Sequence, residues 1–328
     1  MSLFNGTHSQ PPFFLLSGIP GLEASHTWIS IPLSIMYVIA ILGNGIIVHI
    51  VHKNPSLHEP QYVFLSMLAA TNTGMSTSAL PTVLNVFLLN HREIEFHSCL
   101  AQMFFIYTCS SMESAMLLAM AFDRFVAIRN PLHYTAVLTH SHITQMGLII
   151  LGNTITNSIF STFLPLPILL RGLCFCHSNV LSHSYCLHPD ILKLSCSSTK
   201  INSTVGLFVV LSTMGLDFLL ILFSYVLILK TVLSIASHGG RLKALNTCIS
   251  HLSAVILFFT PMIGLSILHR FGPKLPAHVY VTMANMHFLI PPVMNPIVYV
   301  VKTKQIRDKI LKLVIKKGPG ESQVTFIT

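Results

Sequence analysis

Two oppositely charged residues stand side by side, Asp123 and Arg124, at the end of a long apolar run and a few residues before Pro131. A helix is expected to close ahead of that proline, whose ring disfavours the helical conformation of the residue before it. An ionic pair in hydrocarbon is costly and by default functional. The plainer reading is a pair of interface charges whose stems reach back to water, and spacing alone leaves both open. The other charges inside apolar runs are Glu113, Asp217 and, at the end of a run, Lys230. A carboxylate in the middle of such a run, as Glu113 is, has to be neutral or paired with a cation. These groups suit a charge switch or an ion site, not bond making. The chain has no nucleophile beside a base, no paired carboxylates in a polar stretch and no phosphate loop, so no enzyme activity and no cofactor is expected. His251 and Cys248 share one expected helix, where such residues more often pack than bind metal, and no second ligand cluster accompanies them.

The elements that must position these residues follow from composition. Hydrophobic residues make up 52% of 328 and charged residues 9%, against roughly 25% charged in soluble domains. The apolar residues come in blocks of spanning length rather than amphipathic stripes. Seven such blocks cover about 28–52, 62–89, 99–128, 143–170, 201–231, 244–268 and 277–300. The expected fold is an all-α membrane protein, a seven-transmembrane helix bundle. A tail of residues 1–27 precedes the bundle of 28–300, a long second outer loop covers about 171–200, and 301–328 follow. In that last part Ile306, Ile310, Leu313 and Val314 fall on one stripe with lysines opposite, which reads as a short amphipathic helix lying in the membrane interface.

With the N-terminus outside, the inner pieces hold Lys53, Arg124, Arg129, Lys230, Arg241, Lys243, Lys302, Lys304, Arg307, Lys309, Lys312, Lys316 and Lys317, most of the 19 basic residues. That is the positive-inside pattern. The net charge of +9 therefore reads as topology and attraction to inner-leaflet lipids, with no nucleic-acid partner required. The first 27 residues lack a basic segment ahead of an apolar core of sufficient length, so no signal peptide is expected. Asn5 opens the sequon Asn5-Gly6-Thr7 in what reads as a free outer tail, and Asn202 opens a second. Five cysteines, Cys99, Cys174, Cys176, Cys186 and Cys196, fall on the expected outer side, where disulfides persist. Five cannot all pair, and spacing leaves the connectivity open. Cys109 and Cys248 lie in spans.

Several strings carry a family resemblance. Met120 to Tyr134 reads MAFDRFVAIRNPLHY and resembles the odorant-receptor pattern MAYDRYVAICxPLxY, with Phe122 and Phe125 in place of tyrosines and Arg129 in place of cysteine. Leu57 to Ser66 reads LHEPQYVFLS and is similar to LHxPMYxFLS, with Gln61 in place of methionine. Lys243 to Leu252, KALNTCISHL, resembles KAxxTCxSHL, and Asn295-Pro296 followed by Tyr299 resembles the NPxxY switch of rhodopsin-like receptors. The tail string from Pro20 to Glu23, the long outer loop and the string from Ser266 to Phe271 look like the class I, fish-like branch. The resemblance runs from the first span through the interfacial helix.

That resemblance implies a plasma-membrane receptor that binds a small odorant in the outer half of the bundle and activates a heterotrimeric stimulatory G protein to raise cyclic AMP. It implies a switch made of Asp123, Arg124, Tyr225, Asn295, Pro296 and Tyr299. It implies disulfides Cys99 to Cys186 and Cys176 to Cys196. Asn72 stands where the superfamily has an aspartate that helps bind sodium, so with Glu113 it marks an ion site short of one charge. For the ligand, Arg270 with Ser266 one turn away, His188 and Tyr107 are the candidate contacts. The guanidinium fork suits a carboxylate, and class I receptors often take small acids. The alternative is that Arg270 reaches the headgroups or pairs with Asp190 or Glu93. A receptor for a non-odorant metabolite, or a transporter, is the competing class. A transporter predicts internal repeats and matched helix breaks, which the sequence does not show.

Overall fold

The computed structural model describes residues 11–19, 21–22, 25–158, 178–195, 198, 200–235, 237–271 and 276–316. The long helices are α1 (His26–Lys53), α2 (Pro60–Leu88), α3 (Phe96–Arg129), α5 (His140–Ser158), α7 (Lys200–Val210), α8 (Leu216–Ser234), α9 (His238–Phe271) and α10 (Ala277–Lys302). Short helices α4 (Tyr134–Val137) and α6 (His188–Lys193) lie in loops, and α11 (Lys304–Lys316) follows α10. A π turn over Leu211–Gly215 joins α7 to α8, so these two make one span. Five helices among the described residues are long and apolar enough to cross a membrane. The apolar run of α2 is interrupted by Thr71, Asn72, Thr73, Ser76, Thr77 and Ser78, and all of these side chains except Ser76 bond within the bundle or back to their own helix. α5 ends at Ser158, and the rest of the fourth apolar block, 159–170, lies outside the described residues.

Helix ends follow local chemistry. Asn54 closes α1 by returning both its amide and its side-chain Nδ2 to the Ile50 carbonyl, and Pro55 forbids continuation. Pro60 occupies the first turn of α2, where its missing N–H costs nothing. α3 closes at Arg129, ahead of Asn130 and Pro131. On α8 the exposed residues Leu216, Leu219, Phe223, Val226, Leu229 and Leu233 recur at helical spacing, an apolar face that only lipid can satisfy. On α11 Ile306 is fully buried and Ile310 packs on the main core, while Lys304 and Lys312 are exposed. The side chains of Leu313 and Val314 lie outside the described residues.

One end of the bundle carries a small sheet that the periodicity did not announce. β1 (Phe13–Leu16) pairs antiparallel with β2 (Glu93–Glu95) and parallel with β3 (Val180–Leu181). Phe14 and Leu16 point inward, fully buried against Phe96, Cys99, Met103, Leu181, Cys186 and Ile191. The tail read as free is thus anchored over this stretch, because alternating apolar side chains of Phe-Phe-Leu-Leu have a core to enter. Gly18 follows at φ 71°, and a Cβ there would come within 2.8 Å of the His26 ring, so both its backbone and its neighbour require glycine.

Cys99 at the start of α3 is bonded to Cys186, closing 87 residues. Beside it, buried Asp190 is held by His183 Nδ1 at 2.9 Å, the Ser182 amide at 2.6 Å and Lys193 Nζ at 3.3 Å. Burial works to raise the Asp190 carboxyl, but these partners together outweigh it and leave it below its ordinary value. Asp190 is therefore engaged within its own loop.

Two expectations follow. Cys99→Ala or Cys186→Ala should lower surface level severalfold, since losing a native disulfide commonly costs roughly 2 to 5 kcal/mol, while Cys109→Ala, which removes a half-buried thiol, should not; flow cytometry of tagged receptor reads the difference. Because the Asp190 pKa is lowered on folding, its contribution is present above the ordinary carboxylate range and lost only as pH falls through the lowered value. Asp190→Asn should thus lower the melting temperature of purified receptor by a similar margin at pH values of about 7 and about 5, with the margin closing only in stronger acid.

Candidate functional site

At the sheet end, the loop from Ser184 to His188 is pulled into the mouth of the bundle. Gln102 of α3 accepts the Cys186 amide at 2.9 Å and donates to the Ser78 carbonyl and Thr82 hydroxyl of α2. Tyr107, one turn deeper, accepts the His188 amide at 3.0 Å. Ser184 donates to Asn285 of α10 at 2.9 Å. The His188 ring lies against Gly206, where an added Cβ would stand 3.3 Å from Nδ1. From this loop Tyr185 meets Phe288 edge to face, and His287 and Phe258 continue the row of rings into the core. The hydroxyls of Tyr185 and Thr108 and the Nδ1 of His287 are buried without a hydrogen-bond partner among the described residues. Ser266 is half-buried on α9, and the side chain of Arg270 at the end of that helix lies outside the described residues. So do Cys176, Cys196 and Asn5.

The middle of the bundle holds a polar cluster built on a broken helix. Pro296 has no N–H, so the carbonyl of Pro292, four residues back, loses its helical partner. Asn44 of α1 supplies one, donating Nδ2 to the Pro292 carbonyl at 2.7 Å. Gly43 lets the helices approach, since a Cβ there would stand 3.0 Å from the Pro296 ring. Asn72 donates to Asn44 Oδ1 at 3.4 Å, and Asn295 donates to Glu113 Oε1 at 3.3 Å. Asn72, Ser76 and Glu113 are fully buried. Asn72 Oδ1, Ser76 Oγ, Glu113 Oε2 and Asn295 Oδ1 have no hydrogen-bond partner among the described residues. Four oxygens of this kind suit water or a small hard cation. A second carboxylate, Asp217, follows the π turn and accepts from Ser114 at 2.7 Å.

The opposite end of the bundle gathers the ionic pair. Arg124 Nη2 lies 3.0 Å from Asp123 Oδ2 and donates to Gln61 of α2 at 2.8 Å. Tyr134 of α4 donates to the other Asp123 oxygen at 2.6 Å. Burial and the Asp123 charge beside it push the Tyr134 phenol up, so it remains a donor throughout the physiological range. Tyr225 of α8 and His251 of α9 are 2.7 Å apart, and His251 Nε2 is 2.9 Å from the Leu117 carbonyl of α3. A carbonyl only accepts, so Nε2 carries the proton and Tyr225 donates to Nδ1. One ring therefore joins α3, α8 and α9. Tyr299 is buried with no hydrogen-bond partner for its hydroxyl among the described residues. The Arg129 guanidinium sits over the Phe125 ring at 5.5 Å, which gives that cation an attractive local partner.

The structure brings Tyr107 and His188 into one bond, Asp123 and Arg124 into one pair, and Asn295 to Glu113. It also assigns roles to Gln102, Asn285 and His251, which the sequence reading did not single out as site residues. Their signal lay in their type: a lone amide or imidazole in an apolar span requires a partner. No group of three or more metal-ligating side chains occurs among the described residues.

Residues 33–317 match a family model described as olfactory receptor. Human olfactory receptor 51G2 is 56% identical over 309 residues, 94% of this chain and 97% of that protein. Human olfactory receptor 51I2 is 53% identical over 313 residues, covering 95% and 98%. Among solved structures, squid rhodopsin superposes with a TM-score of 0.71 at 18% identity, over 93% of this chain and 85% of that one, which speaks for the fold alone. The chain belongs to the olfactory receptor family of rhodopsin-like G protein-coupled receptors, multi-pass proteins of the cell membrane that signal from a small-molecule ligand to a G protein and are not enzymes.

Proposed function

We propose that the sheet end faces outside and takes a small organic odorant, a short or medium-chain carboxylic acid above all, beneath the loop from Ser184 to His188. Occupancy then favours a state in which the far end of α9 moves outward and admits a stimulatory, olfactory-type G protein that raises cyclic AMP. The observation that carries this is the row of rings from Tyr185 through Phe288 and His287 to Phe258 under a loop pinned by Gln102, Tyr107 and Asn285. Buried rings beside a few fixed polar groups match the usual make-up of a small-ligand site. Arg270, with Ser266 a turn away, would hold the carboxylate as a bidentate pair. No carboxylate lies in the sheet-end half of α3, so an ammonium ligand has no partner there. The basic residues of α10 and α11, among them Lys302, Lys304 and Lys312, would face the anionic inner leaflet.

A ligand shifts the two states only by its differential affinity for them. The groups that must rearrange are Asp123, Arg124, Tyr225, Asn295, Pro296 and Tyr299, and the break at Pro296 supplies the bend about which α10 repacks. Glu113 and Asn72 mark an ion site in which an amide replaces a carboxylate, so sodium has one less negative charge to hold it.

Three measurements bear on this. Arg124→Ala should abolish the cyclic AMP response while leaving surface level within about threefold; a full response in the mutant would remove Arg124 from the switch. Acids, matched alcohols, esters and amines should be compared on wild type, Arg270→Ala and Arg270→Lys. Acids should activate the wild type and lose roughly tenfold or more in potency on Arg270→Ala, with Lys intermediate because it keeps the charge without the fork. Neutral odorants active on Arg270→Ala, with acids inactive throughout, would eliminate anion binding. Finally, Asn72→Asp should make agonist potency more sodium-dependent, and an equal sodium effect in both forms counts against the ion site.

A further inference from the structure

The residue that departs from the family pattern at the start of α2 is the one that holds Arg124. Gln61 accepts from Arg124 Nη2 at 2.8 Å through Oε1 and donates from Nε2 to Glu59 Oε2 at 3.1 Å. A carboxylate can only accept, so Glu59 fixes which way the amide faces and turns its oxygen toward the guanidinium. The Asp123–Arg124 pair lies within one helix and does not tie it to α2, whereas Gln61 belongs to α2. A methionine, which the family pattern carries at this position, has no oxygen to offer. The neighbouring Tyr62 hydroxyl donates to Gln305 of α11 at 2.7 Å, so the first turn of α2 is bonded both to the third span and to the interfacial helix.

We propose that Gln61 is a positioning residue, a latch that holds Arg124 against α2 and lowers signalling in the absence of ligand. The inference rests on the receptor switch argued above, because Arg124 must leave this arrangement to meet a G protein. The latch acts only on the closed arrangement, so it biases the equilibrium between states without touching the ligand. A hydrogen bond to a charged group, half-exposed as this one is, shifts such an equilibrium by roughly threefold to tenfold.

The test is ligand-free cyclic AMP per receptor at the surface, in cells supplied with the olfactory-type stimulatory G protein, for wild type, Gln61→Met, Arg124→Ala and the double swap Glu59→Gln with Gln61→Glu. Gln61→Met should raise the ligand-free signal roughly threefold to tenfold. The swap should return it to near the wild-type level, because residue 59 then donates and residue 61 still accepts from Arg124. A merely structural role would change surface level and would not be rescued by the swap. A Gln61→Met signal equal to wild type, with Arg124→Ala silent, overturns the latch and leaves the receptor reading standing. A signal undiminished in Arg124→Ala overturns both.

Discussion

A carbonyl oxygen left without a partner is the constraint on which the bundle's centre depends. Pro296 removes one rung from the ladder of α10, and in a membrane the exposed Pro292 carbonyl has no water to accept from. Asn44 answers from α1, Gly43 clears the path for the proline ring, and Asn72 from α2 completes the amide chain. Three helices are thereby fixed to one weak point. On the other side of that turn Asn295 reaches Glu113 of α3. A helix that is broken, and whose break is bonded sideways to its neighbours, can be repacked as a unit. That is what a two-state receptor requires of its core.

The two ends of the molecule differ in how firmly they are built. The sheet end is held covalently by Cys99 and Cys186, by β pairing and by the Asp190 cluster, with Phe14, Leu16 and Phe96 packed around the disulfide. The Arg124 end is held by single polar contacts around buried Asp123, whose partners Arg124 and Tyr134 are partly exposed, beside a small apolar cluster of Ile228, Val232 and Cys248. An end without covalent or strand pairing, joined by single polar contacts, opens at lower cost than one that has both. On the function proposed above, the architecture is rigid where the ligand is recognised and yielding where the partner enters.

Much of this was legible in the sequence because the membrane makes it so. Spans of the right length, the ends of α1 and α3 at Pro55 and Pro131, and the amphipathic helix after Lys302 follow from local chemistry. What was not legible came from partners far apart in the chain. Nothing near Gln102 foretells that it will accept the Cys186 amide, and nothing near Gln61 foretells Arg124. The strand at Phe13–Leu16 is four residues long, too short for alternation to be distinguished from a tail, and its partners are residues 93–95 and 180–181. The polar face of α2 was expected simply as part of a span, yet it is where the buried amides and hydroxyls collect.

That short strand also orders events during synthesis. Leu15 pairs with Val180, so β1, made before both of its partners, must wait for residues 180–181 before it can be fully seated. Until then Phe14 and Leu16 lack part of their core and the edge of β1 that takes β3 has no neighbour, and an open edge of this kind invites the wrong strand. The full seating of β1 therefore depends on everything between it and the loop having been made and brought together.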